Sequence, residues 1–98
     1  MILGRVAGNV VGTNRSDGID GGVYLLIEEY GRDMKPAGRH VVALDLLGAG
    51  PDEAVLVSQG SSARQTETTK DRAVDAVIVG IIDEVDSDRG IIYRKNAN

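Results

Sequence analysis

The chain has 98 residues, enough for a single domain over residues 1–98 and not for two. Cysteine is absent, which excludes a disulfide framework, a thiolate metal site and a cysteine nucleophile, and is compatible with a reducing cytosol. The formal net charge is −4 and Tyr24, Tyr30 and Tyr93 are the only aromatics. Nucleic-acid binding relies on phosphate neutralisation and stacking platforms, and this composition supplies neither. No apolar run is long enough to span a bilayer, and Met1, Ile2, Leu3, Gly4 and Arg5 lack the n-region and h-region of a signal peptide. A cytoplasmic chain with no membrane partner is expected.

Short apolar runs separated by turn residues predict an all-β domain. The first run spans residues 2–13. Its even positions, Ile2, Gly4, Val6, Gly8, Val10 and Gly12, share one face by the period of two. Glycine at alternate positions of that face suits a long strand that bends around a small barrel. The second run covers residues 23–30, and residues 31–38 then read as a polar hairpin loop. The third run is residues 40–47 and the fourth residues 53–59. One helical turn is predicted between the fourth and fifth runs, because Ser62 and Gln65 fit a capping box. The fifth run is residues 74–85, apolar on both faces over its middle. Such a strand needs two layers to pack against, its own core and a neighbouring subunit. A last short run covers residues 91–93. Five strands and a short helix close as a barrel or fold as an open sandwich; closure removes exposed edges and favours the barrel.

The polar residues offer little catalysis. His40 is the only histidine, and a zinc site wants more nitrogen and sulfur ligands, so it reads as a strand-start residue. Ser61 or Ser62 with His40 and Asp45 lacks the G-x-S-x-G elbow of a hydrolase; the serines read as helix caps. Gly48, Ala49 and Gly50 precede a strand, whereas a dinucleotide fingerprint needs a helix there to hold pyrophosphate. Asp83, Glu84, Asp86 and Asp88 lack the spacing of a calcium loop and read as a solvated strand end. Arg64, just after the capped turn, divides between a bidentate contact to a carboxylate and a solvated charge. No metal and no cofactor are expected.

The glycine loop at residues 48–50, the apolar strand after it, and the small-residue turn Gly60, Ser61, Ser62, Ala63 and Arg64 suit close backbone packing. With the opening Met1-Ile2-Leu3-Gly4-Arg5-Val6-Ala7-Gly8, the run Val41-Val42-Ala43-Leu44-Asp45, Val74-Asp75-Ala76 and Gly80-Ile81-Ile82-Asp83, they form an ordered set at near-constant spacing. That set resembles the EutN/CcmL family, the vertex proteins of bacterial microcompartment shells. The chain departs from the family pattern at Ala73, where many members carry proline, and in residues 31–38.

The resemblance implies a five-stranded barrel related to the OB-fold. It implies a cyclic homopentamer with a narrow central opening at the five-fold vertices of a polyhedral shell, whose flat facets are hexagonal shell proteins. It places Gly48, Ala49 and Gly50 near the five-fold axis. A ring needs two different patches that dock on each other. The second face of the fifth run is one candidate, and Gly60, Ser61, Ser62 and Ala63 permit close approach of a neighbour. Gly80, inside an apolar run, is expected to face packed backbone. The alternative function is an OB-fold module for nucleic acid or another ligand, which wants exposed aromatics and a basic groove. An enzyme has no constellation behind it.

Overall fold

The computed structural model describes residues 1–12, 23–60 and 75–95. Among the described residues seven strands form: β1 Ile2–Val10, β2 Val23–Tyr30, β3 Pro36–Asp45, β4 Ala54–Gln59, β5 Ala76–Ile81, β6 Glu84–Ser87 and β7 Gly90–Arg94. The first five close into a barrel in the order β1-β2-β3-β5-β4, with β4 returning to β1. β3 and β5 run parallel and every other neighbouring pair is antiparallel. The all-β, OB-like five-stranded barrel expected from the sequence is therefore the fold. The helical turn expected over residues 62–65 lies outside the described residues.

Alternation builds the core. Val6, Leu25, Ile27, Ala43, Val55, Val57, Ala76 and Ile78 point inward from all five barrel strands into one cluster. Fully burying a side chain such as Ile27, Val55 or Val57 stabilises the fold by about 1.5–3 kcal/mol relative to leaving it exposed. The glycine-spaced face of β1 is the tight wall of this core. A Cβ on Gly4 would fall on Ile27 Cγ2 and lie 2.9 Å from the Glu28 carbonyl oxygen. The pairing with β2 skips a residue between Val6 and Gly8, and this bulge bends the strand as closure of a small barrel requires.

Three expectations are corrected. The loop after β2 is shorter than residues 31–38. It closes over residues 31–35, with Gly31 N donating to Lys35 O and Met34 N to Gly31 O. β3 starts at Pro36 because Tyr30 pairs with it across a bulge, although its first five residues are exposed and show no apolar alternation. The fifth run is not one strand. β5 ends at Ile81, and Glu84 to Ser87 pair instead with β7 in a separate two-stranded sheet. Nor is the second face of β5 mainly a docking surface. Val77 is buried there with Leu44 under Tyr24, in a small second core, which leaves only Val79 of that strand exposed.

Candidate functional site

The segment from the end of β3 to the start of β4, residues 45–53, carries the glycine loop and is tied by several side chains. Asp45 is buried. Its two carboxylate oxygens accept hydrogen bonds from Leu47 N and Ala49 N, each at 2.9 Å. A carboxylate accepting amides two and four residues ahead folds the chain over itself in an Asx-type turn. Gly48 sits at the apex with φ of 79°, a backbone that a Cβ disfavours. Ala49 turns inward and packs against the main core.

The far side of the loop is held as firmly. Glu53 Oε1 accepts the Gly50 amide at 2.5 Å, and Glu53 Oε2 accepts Lys95 Nζ at 2.7 Å. The Lys95 bond, then the Gly50 amide, lower the Glu53 pKa below the ordinary carboxylate range, and Lys95 is raised in return. Asp52, at a φ of 65°, donates its amide to Val6 O, while Val6 N donates to Glu53 O. Arg5 on β1 bridges Glu28 of β2, at 3.0 Å, and Asp52 of the loop. Its pKa is raised chiefly by the bond to Glu28. The Asp52–Glu53 end of the loop is thus pinned to β1 and β2, and Asp45 fixes the other end from within the loop.

The other expected site residues are dispersed. Gly60 is exposed with φ of 65° and donates its amide to Asp75 O. Ser61, Ser62, Ala63 and Arg64 lie outside the described residues. Gly80 does not face packed backbone within this chain. It pairs with Leu56, and a Cβ there would meet Leu56 Cβ at an ordinary 3.8 Å; Gly4 holds the close approach instead. His40 is an exposed residue of β3, two residues before Val42 and remote in role from the buried Asp45, whose oxygens serve the loop. Among the described residues no three His, Asp or Glu side chains gather as metal ligands. Reading the sequence for chemistry missed Asp45, Glu53 and Lys95. An aspartate just ahead of a glycine-rich turn was the available signal for the first; nothing local marks the third, 42 residues from its partner.

A closed OB-like barrel with a pre-shaped glycine loop at one end defines a scaffold module in which backbone shape does the work. The family model described as "Ethanolamine utilisation protein EutN/carboxysome" matches residues 1–83, and the chain belongs to the EutN/CcmL family. The carboxysome shell vertex protein CcmL of Gloeobacter violaceus is 42% identical over 95 residues, covering 97% of this chain and 95% of that protein. The solved structure of Gloeobacter violaceus CcmL superposes with a TM-score of 0.92 at 41% identity, over 99% of this chain and 100% of that one. The GrpN pentameric microcompartment shell protein of Rhodospirillum rubrum gives 0.78 at 39% identity, over 89% of this chain and 99% of that one.

Proposed function

We propose that this chain forms a cyclic homopentamer that closes the five-fold vertices of a microcompartment shell in the cytoplasm, beside hexagonal facet proteins and without catalysing a reaction. The observation that carries this reading is the end-to-end likeness to the vertex protein CcmL, 0.92 in TM-score over 99% of the chain. A flat sheet of hexagonal tiles cannot close; pentagonal units supply the curvature. The requirement on such a unit is a rigid five-fold plug, and a loop locked by Asp45 and Glu53 suits it. In this reading Gly48, Ala49 and Gly50 lie near the five-fold axis, and Gly60, Ser61, Ser62, Ala63, Arg64 and Gly80 serve either contacts between subunits or the structure of the fold. Tyr24 packs against Leu44 and Val77 rather than offering a stacking face, which counts against the nucleic-acid alternative.

Native mass spectrometry is expected to show five chains. Shells assembled without this protein are expected to keep their facets but to be elongated, open or leaky by electron microscopy. Closed vertices in the absence of this chain and of any homologous vertex protein would refute the role.

A further inference from the structure

We infer that the β6–β7 hairpin is an assembly arm that docks on the Leu46, Leu47 and Val79 surface of a second copy of this chain. The inference rests on the ring reading above and specifies its contact.

The hairpin is a separate sheet whose two strands pair only with each other. An isolated two-stranded hairpin is marginal in water and needs a surface to cover it. This one does not hide its apolar residues. Its register skips Ile92, which bulges out beside Ile91, and the two are 37% and 47% exposed. Ile91, Ile92, Tyr93 and Arg94 line a shallow concavity of about 320 Å³. The base of the hairpin, by contrast, is fixed: Lys95 N donates to Asp83 O at 2.7 Å, and Lys95 Nζ reaches Glu53. The arm is aimed by its root and leaves Ile91 and Ile92 exposed.

The barrel carries the complementary surface. β3 and β5 meet in parallel at Leu44 and Val77. Two residues further along the same direction come Leu46 and Val79, both exposed, with Leu47, 50% exposed, beside them. They continue the small second core out to the surface. The strand β5 skips Val79 in its pairing with β4, which pushes that side chain outward.

The occupant is a second copy of this chain, because the related GrpN shell protein is pentameric and the arm and the surface both lie on one chain. An apolar arm and a different apolar surface on one chain make a heterologous contact, the kind that closes rings; a two-fold dimer would bring like surfaces together.

The test uses the intact chain. The double variant Ile91→Ser, Ile92→Ser alters exposed side chains only, and an unchanged circular dichroism melt checks that the barrel still folds. Native mass spectrometry and light scattering across a dilution series should show the concentration needed for assembly rising at least about tenfold. The absence of cysteine allows a second measurement. A chain carrying Ile92→Cys and Leu47→Cys, treated with a short bis-maleimide, should give a covalent ladder up to five chains, which neither single variant gives. A wild-type pentamer that is indifferent to the serine changes, or that gives no ladder, overturns the arm and leaves the vertex reading standing. A wild-type chain that stays monomeric overturns both.

Discussion

Two segments leave the same end of the barrel and are treated in opposite ways. The loop of residues 45–53 is short, glycine-rich and polar at its anchors. Asp45 and Glu53 take up three of its amides, and Arg5 holds Asp52 to β1 and β2. The hairpin β6–β7 is longer, carries two exposed isoleucines, and is tied down at its root by Lys95. The first arrangement spends buried charge on fixing a backbone shape. The second leaves Ile91 and Ile92 exposed among the described residues. A pinned loop suits a position where geometry must be the same in every copy, and an uncovered ribbon suits one where another surface completes the fold. Glu53 links the two, since one of its oxygens holds the loop and the other the root of the hairpin.

The sharpest way to break this contrast is to attack the wall on which the loop rests. Gly4→Leu places a side chain on Ile27 and the Glu28 carbonyl, with no flexible neighbour to yield. It should cost about 3 kcal/mol or more in urea unfolding. A loss under about 1 kcal/mol would mean that the barrel wall is compliant and that the loop's foundation is not rigid.

Next in size is Asp45→Ala, which leaves the Leu47 and Ala49 amides without their acceptor. A loss of about 2–3 kcal/mol is expected for charge-assisted bonds from a buried carboxylate. Hydrogen exchange should then accelerate at Leu47 and Ala49 and stay unchanged in the hairpin. Equal acceleration in both segments would show that they open as one unit and that the contrast is not local.

Gly80→Ala sharpens the comparison from the other side. A Cβ there meets only Leu56 at van der Waals distance, so monomer stability should stay the same or rise by about 0.4–1 kcal/mol. Loss of assembly with the fold intact would place Gly80 at a subunit contact. A destabilised monomer would restore the tight-core reading.

The smallest effect is that of the Glu53–Lys95 pair, because both groups keep access to solvent. The folded-state pKa of Glu53 is lowered, first by Lys95 and then by the Gly50 amide. Its contribution is therefore fully present above the ordinary glutamate value of about 4.3 and is lost as pH falls through the lowered folded value. Lys95 is raised, so its contribution is present below the ordinary lysine value of about 10.4 and is lost as pH rises through the folded value. Lys95→Ala should return the Glu53 titration toward the ordinary range by NMR, and should speed exchange of the Gly50 amide. A Glu53 titration that does not move would mean that the loop amide alone sets it, and that hairpin and loop are uncoupled.

Much of the barrel was legible in the sequence. Alternation assigned the inward face of β1 as far as Val6, before the bulge, and the apolar runs located β2, β4 and β5, because side-chain direction in a strand is a local property. The failures share a cause. The early start of β3 is dictated by pairing with Tyr30, not by any pattern in its own exposed first residues. After Ile81 the last tie to β4 is the Ile82 amide to Ala54 O, and from Glu84 the chain pairs with β7 instead. An unbroken apolar pattern is blind to a change of partner.

By itself the sequence determined the class of fold, the faces of the strands, the lack of a visible catalytic constellation and the family, since each of these is written in residue type and spacing. Only the tertiary structure decided which glycine is irreplaceable and what the carboxylates do. Gly4 and Gly80 read alike as small residues in apolar strands, and only the approach of Ile27 and Glu28 separates them. Asp45 and Glu53 read as ordinary acids beside a turn. They become the anchors of the loop because barrel closure buries Asp45 beneath it and brings Lys95 back to Glu53. Contacts of that kind join residues far apart in the chain, so no local pattern can encode them.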